Sequence, residues 1–285
     1  MRLKRVWLVW LVPLFVGSFL VGCKSDGGGD DPILRLSAEE ALDQGRLLMD
    51  GKKYTQAVKY LEHAFEVAPN STTGREALLL AADALYLNGG TANFIKAEAK
   101  YRDFQNRFPT SERADYVQLQ IARCLSKQVL KADRDQSATR RAIVAYDNLL
   151  RVYPTSALVG EATQGIADLR QRLAEHDYIV GRYNYKRRLY TAARWRFESL
   201  IEEYPDYQEL DKVLFMLGKS HVKSKQVGEA EKTFNRLRSE YPESSYSHKI
   251  PKLPEIPPDP ELEPNPGEEE PTENAEDDSG AESDS

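Results

Sequence analysis

Ala193-Arg-Trp-Arg-Phe197-Glu-Ser-Leu200-Ile-Glu-Glu-Tyr-Pro205 is the stretch from which the rest of the chain can be read. Small Ala193, aromatic Phe197 and aliphatic Leu200 stand at offsets 0, 4 and 7, which puts them on one face of a helix. Pro205 cannot continue that helix, because its ring removes a backbone donor and clashes with the preceding turn. The same spacing recurs as Ala57 and Pro69, Ala97 and Pro109, Ala142 and Pro154, and Ala230 and Pro242. Offset 4 is filled by Leu61, Tyr101, Tyr146 and Phe234, and offset 7 by Ala64, Phe104, Leu149 and Leu237.

This pattern resembles the tetratricopeptide repeat, a helix–turn–helix unit whose second helix carries Ala, then an aromatic, and ends at Pro. The repeat also places Gly in its first helix, twelve residues before that Ala. Gly45, Gly181 and Gly218 satisfy this, whereas the second repeat has Leu85 and an insertion prevents the check in the third. The expected fold is therefore all-α, a superhelical solenoid of five helix–turn–helix repeats over residues 37–248. No run alternates with period two, so no sheet is expected. Ser37-Ala-Glu-Glu40 and Thr73-Gly-Arg-Glu76 read as capping boxes opening repeats one and two. Asn88-Gly89-Gly90 should break the chain between the two helices of repeat two. Successive alanines lie 40, 45, 51 and 37 residues apart, longer than the usual repeat. The excess predicts an extra loop around Lys131 to Ser137 and one unbroken amphipathic helix from Ser156 to about Arg187.

The ends differ in kind from this middle. Met1 to Arg5 is basic and Val6 to Phe19 is apolar, a run suited to a signal peptide over residues 1–22. Leu20-Val21-Gly22-Cys23 resembles the lipobox of bacterial lipoproteins, which implies cleavage before Cys23 and lipid attachment to it; several acyl chains anchor stably where one is marginal. Lys24, as a residue other than Asp, implies the outer membrane under the sorting rule of enteric bacteria. Residues 23–36, with Gly27-Gly28-Gly29, read as lipidated Cys and flexible tether. Residues 249–285 hold 13 acidic residues and 2 lysines among repeated prolines, and are expected to be a disordered acidic tail. Without the two ends the body is near neutral, which argues against a nucleic-acid footprint.

Chemistry-bearing motifs are scarce. His63, His176, His221 and His248 have no ligand spacing, so no metal site and no cofactor is expected. Ser220-His-Val-Lys223 formally matches the Ser-x-x-Lys of penicillin-binding enzymes, but its companion motifs are missing. Cys124 reads as a buried thiol, and no catalytic residue is assigned. A repeat array of this kind works by binding proteins.

Particular words then point to one family. Asp133-Arg-Asp-Gln-Ser137, Val152-Tyr-Pro-Thr-Ser156, Arg172-Leu-Ala-Glu175, Tyr183-Asn-Tyr-Lys, Tyr190-Thr-Ala-Ala193, Arg196-Phe197 and Glu203-Tyr-Pro205 resemble the BamD family, the lipoproteins of the outer-membrane β-barrel assembly machine. The resemblance implies a scaffold on the periplasmic face of the outer membrane. Its partners would be a BamA-like protein bound through a POTRA domain, other barrel-assembly lipoproteins and unfolded outer-membrane proteins. Arg196 matches the family's arginine at the BamA interface, with a solvated surface Arg as the other reading. Arg134 and Asp135 are a second partner-binding pair, or equally a local cap for the next helix. Arg46 and Tyr86 map to inward positions of the N-terminal groove, as contacts to an extended client or as packing residues. Gly181 stands where the family prefers Ala. The alternative function is a tetratricopeptide adaptor for cell-wall hydrolases or pilus assembly.

Overall fold

The computed structural model describes residues 31–253, and ten α-helices but no strand occur among them. In chain order the helices follow two to a repeat: α1 (Ala38–Asp50) and α2 (Tyr54–Val67), α3 (Thr72–Asn88) and α4 (Thr91–Arg107), α5 (Ala114–Ser126) and α6 (Ser137–Val152), α7 (Val159–Lys186) and α8 (Tyr190–Glu203), and α9 (Leu210–Lys223) and α10 (Val227–Glu240). The described residues form two compact units, one through Cys124 and one from Leu125. The all-α tetratricopeptide fold is thus present with its five helix pairs. The segments expected to be the signal peptide, the lipidated Cys23, most of the tether and most of the acidic tail lie outside the described residues.

Each second helix stops by the same device. The residues before the five prolines, Ala68, Phe108, Tyr153, Tyr204 and Tyr241, have φ between −138° and −126° and ψ between 57° and 64°. The proline ring forbids helical backbone to its predecessor, so the last turn opens two residues early. Ala57, Ala97, Ala142, Ala193 and Ala230 are fully buried, and the offset-4 residues Leu61, Tyr101, Phe197 and Phe234 with them. In three repeats the glycine explains how this face closes. A Cβ would lie 2.5 Å from Leu61 at Gly45, 2.6 Å from Phe197 at Gly181 and 2.4 Å from Phe234 at Gly218. The departure of Gly181 from the family's Ala has its reason there: the ring of Phe197 occupies the space. In repeat three Tyr146 meets Gly165 of α7 instead, where a Cβ would lie 2.7 Å from the ring.

Helix starts follow two patterns. Ser37 forms the expected capping box, its Oγ accepting from Glu40 N and Glu40 Oε2 accepting from Ser37 N. Repeat two corrects the sequence reading. Its cap is Ser71, not Thr73: Ser71 Oγ accepts from Gly74 N at 2.9 Å and donates to Ala68 O at 2.8 Å. Thr73 already lies inside the helix and donates to Glu39. Gly74 tolerates this early start because the backbone of Ala68 and Pro69 presses on it, leaving no room for a Cβ.

The long helix begins at Val159 rather than Ser156 and runs 28 residues to Lys186. Ser156 sits in the preceding turn, where its Oγ accepts from Leu158 N. At 1.5 Å per residue α7 spans about 42 Å, long enough to fasten several segments of its unit. Arg172 donates to Leu130 O, and His176 Nδ1 lies 2.7 Å from Ala132 O, which pins the extra loop of repeat three. On the other side Arg170 donates to Glu203 O, and Gln171 bonds both Asp206 O and Gln208 N. Lys212 of α9 joins Glu175 of α7 and Glu209, with its ammonium 4.3 Å from the ring centre of Tyr178. Beyond α10, Ile250 and Leu253 pack against the cluster of Leu214, Ala230, Phe234 and Leu237. Leu36 does the same before α1, against the cluster of Ala41, Leu61 and Ala77.

Candidate functional site

Arg196 lies on α8, one turn after buried Ala193 and just off the packed face. Its Nη1 donates to Asp177 Oδ1 of α7 at 3.1 Å, and its guanidinium stacks over the ring of Trp195 at 5.2 Å. The Nε is buried without a partner, and the side chain keeps about a third of its surface exposed (33%). Burial raises the carboxyl of Asp177 above the ordinary aspartate value, and the neighbouring Arg196, His176 and Arg140 only partly offset that. Asp177 thus holds one nitrogen of the fork while about a third of the side chain stays open to solvent, where a carboxylate could form a charge-assisted bond.

Next to it Trp195 is 60% exposed and lines an open cleft with Leu189, 56% exposed, while Tyr183 on α7 is 61% exposed; large apolar side chains in water are the kind that partners cover. Trp195 was not singled out in the sequence. Its signal was present, since it stands at offset 2 from Ala193, off the face that packs.

The second pair sits on the loop that α7 holds. Asp135 accepts from both the backbone N and the Oγ of Ser137 at the start of α6, and these bonds keep its carboxyl below the ordinary range. Arg134 is exposed, with its backbone in the turn to Lys131. The centre of the loop is Gln136, only 2% exposed: its amide donates to Lys131 O and Arg134 O, and its carbonyl accepts from Thr139. Arg140 and His176 act electrostatically on both Asp135 and Asp177, so this loop and the Arg196 site share one set of charged neighbours.

In the first unit, Arg46 pairs with Asp43 at 3.0 Å and with Glu76 at 2.6 Å, while Tyr86 packs its ring against Phe94 at 5.6 Å. Glu76 also lines a cavity of about 260 Å³ with Arg75, Leu79, Asp83, Phe104 and Arg113. Asp83 accepts from Tyr101 Oη at 2.6 Å and Tyr116 Oη at 2.8 Å. Burial raises its carboxyl, and burial with the Asp83 charge pushes Tyr116 up to about 12. Arginines, carboxylates and apolar walls together suit an extended polypeptide, whose backbone and side chains need all three. Arg46 touches this groove through Glu76.

Other motifs resolve into packing. Ser220 is fully buried and its hydroxyl donates to Met216 O, so it does not face Lys223. Cys124 is buried and its thiol is pushed up to about 12, chiefly by burial. No cluster of potential metal ligands occurs among the described residues. No described helix is long and apolar enough to cross a membrane.

Comparison with known proteins gives a consistent result. A family model described as outer membrane lipoprotein matches residues 35–223, and a tetratricopeptide-repeat model matches residues 212–244. The outer membrane protein assembly factor BamD of Haemophilus influenzae is 23% identical over 223 residues, covering 75% of this chain and 83% of that protein. The factor of the same name from Rickettsia prowazekii is 26% identical over 244 residues, covering 84% and 94%. Among solved structures, the TPR2AB domain of yeast Sti1 in complex with pHSP90 aligns with a TM-score of 0.43 at 13% identity, covering 74% of this chain and 80% of that one.

Proposed function

The chain belongs to this outer membrane lipoprotein family, and from that premise we propose that it is an assembly factor for outer-membrane proteins, a scaffold subunit rather than an enzyme. The observation that supports this most is the extent of the family match, which runs from before α1 to the end of α9. Lipid on Cys23 would hold it at the periplasmic face of the outer membrane. Repeats three to five would dock a POTRA domain of a BamA-like protein, with the exposed part of Arg196 receiving a carboxylate and Trp195 supplying apolar area. Arg134 and Asp135, on the loop that shares charged neighbours with Arg196, would extend that contact. The groove of the first unit would receive unfolded barrel proteins, with Arg46, tied to it through Glu76, and Tyr86 as further contacts.

Mild-detergent affinity purification of the acylated chain from native membranes tests this reading, beside Arg196→Glu and Arg196→Lys. A POTRA-bearing barrel should co-purify with the native chain and be lost with Arg196→Glu. Arg196→Lys should recover it only in part, because an ammonium keeps the charge but not the planar fork. Circular dichroism of the variants controls for folding. Recovery of wall hydrolases or pilus proteins instead would leave the fold intact and overturn the function. Cys23→Ser should shift the protein out of the outer-membrane fraction.

A further inference from the structure

The turn from α7 to α8 and the turn from α9 to α10 meet at an open cleft of about 800 Å³, lined by Arg188, Leu189, Tyr190, Trp195, Lys223 and other residues, none of them acidic. No acidic residue occurs from Tyr178 to Phe197 or from Lys212 to Gly228, while Lys186, Arg187, Arg188, Lys223 and Lys225 are all exposed there. Arg188 and Lys225 occupy left-handed turn positions, with φ of 61° and 63°. Arg194 is different, being paired with Glu198 and Gln226. The cleft thus combines exposed Trp195 and Leu189 with two cations, Arg188 and Lys223, that have no acidic neighbour in its lining, while Lys186, Arg187 and Lys225 stand beside them in the same turns.

From the geometry and the sequence we infer that the chain's own acidic C-terminal segment, residues 254–285, docks in this cleft. That segment holds 13 carboxylates and no basic residue, and its first part, Pro254-Glu-Ile-Pro-Pro-Asp-Pro260 followed by Glu-Leu-Glu-Pro264, alternates prolines with acids and two aliphatic side chains. Prolines suit aromatic-lined grooves because their backbone is already extended and little ordering entropy is lost. The carboxylates match the cations, and Ile256 and Leu262 match the apolar wall. Reach is sufficient. Leu253 is seated on the cluster that includes Leu214 of α9, and Lys223 lies about 14 Å farther along the same helix. A dozen extended residues span about 40 Å. Tethering makes even a weak contact intramolecular, at an effective concentration on the order of millimolar. The occupied cleft includes Trp195, on which Arg196 stacks, so the tail would compete with the partner proposed for that site. This last consequence rests on the partner reading; the docking itself does not.

Trp195 is a built-in reporter, since the other tryptophans, Trp7 and Trp10, can be replaced by Phe in the full chain. Acrylamide, being neutral, quenches it without regard to the local charge. In the native chain at low salt, quenching should be roughly twofold weaker than in a full chain whose acids from Glu255 to Asp284 are changed to Gln or Asn, because a docked segment excludes water. At about 1 M salt, where charges are screened within a few ångströms, the difference should shrink. Arg188→Glu with Lys223→Glu, both exposed positions, should match the neutralised tail while keeping the native circular dichroism. Equal quenching in the native and neutralised chains at low salt would overturn the inference. So would full protection in the Arg188→Glu/Lys223→Glu chain, or protection that grows with protein concentration, which would place the tail on a second copy.

Discussion

Repeat one is made of helices of 13 and 14 residues, whereas repeat four opens with one of 28. Both close by the same rule, a first-helix glycine against the offset-4 side chain, Gly45 on Leu61 and Gly181 on Phe197. Beyond that rule they diverge. The first unit turns its polar groups inward, where Asp83 is held by two tyrosines beside a cavity. The second spends the extra length of α7 on fastening backbone: Arg172, His176 and Gln171 bond main-chain groups of neighbouring loops, and Arg170 bonds the carbonyl at the end of α8. Its outer surface is then free to carry Trp195, Leu189 and exposed cations. Repeat packing sets the fold, and the insertions set which surfaces are available for partners.

The largest test of the shared rule is truncation at offset 4. Phe197→Ala should cost about 3–5 kcal/mol and Leu61→Ala about 2–5 kcal/mol, since each empties a fully buried site. Urea unfolding followed by Trp195 fluorescence reports the second unit, and hydrogen exchange reports the first. A negligible loss at Leu61 would mean that the rule operates only where α7 reinforces it. Overfilling should act less strongly. Gly181→Ala should cost about 1–3 kcal/mol by displacing Phe197, while Gly160→Ala in the same helix meets nothing within 4 Å and should gain up to about 1 kcal/mol. Similar thermal shifts for both would dissolve the contrast between packed and free glycines.

A third test separates the units by pH. The folded-state value of Asp83 is raised, so the native state binds more protons than the unfolded one between the ordinary value of 3.8 and that raised value. Its contribution is therefore most favourable at low pH and declines as pH rises through that window. Asp135 works in the opposite sense, because its lowered value adds stability above the ordinary range that is lost on acidification. Asp83→Asn should flatten the decline in exchange protection of the first unit as pH rises above the ordinary aspartate value. An unchanged slope would show that Asp83 does not govern it. The smallest effect concerns the cap of repeat two: Ser71→Ala should cost about 1 kcal/mol and Thr73→Ala a few tenths, read as a difference in melting temperature.

Much of the fold was legible because its signals are local. Proline excludes helical backbone from its predecessor whatever surrounds it, so Pro69, Pro109, Pro154, Pro205 and Pro242 fixed five helix ends without knowledge of the fold. The glycine turn after Asn88 is equally local, with φ of 72° and 84° at Gly89 and Gly90. The cap of α3 falls on Ser71 rather than Thr73, a choice the local sequence leaves open because hydroxyl residues two positions apart differ as caps by about a kcal/mol or less. The candidate site was half legible. Arg196 could be picked from the word it stands in, yet Asp177, its partner, lies on another helix nineteen residues away.

Composition and spacing were enough to establish five helix pairs, their buried alanine faces and an added length in repeats three and four, since steric exclusion and helical periodicity act over a few neighbouring residues. The placing of Gln136 at the centre of its loop, the tie of Arg196 to Asp177, the inward turn of Asp83 and the exposure of Trp195 came only with tertiary packing. Each depends on which atoms of distant segments come within about 3 Å of one another, and on whether water is left between them.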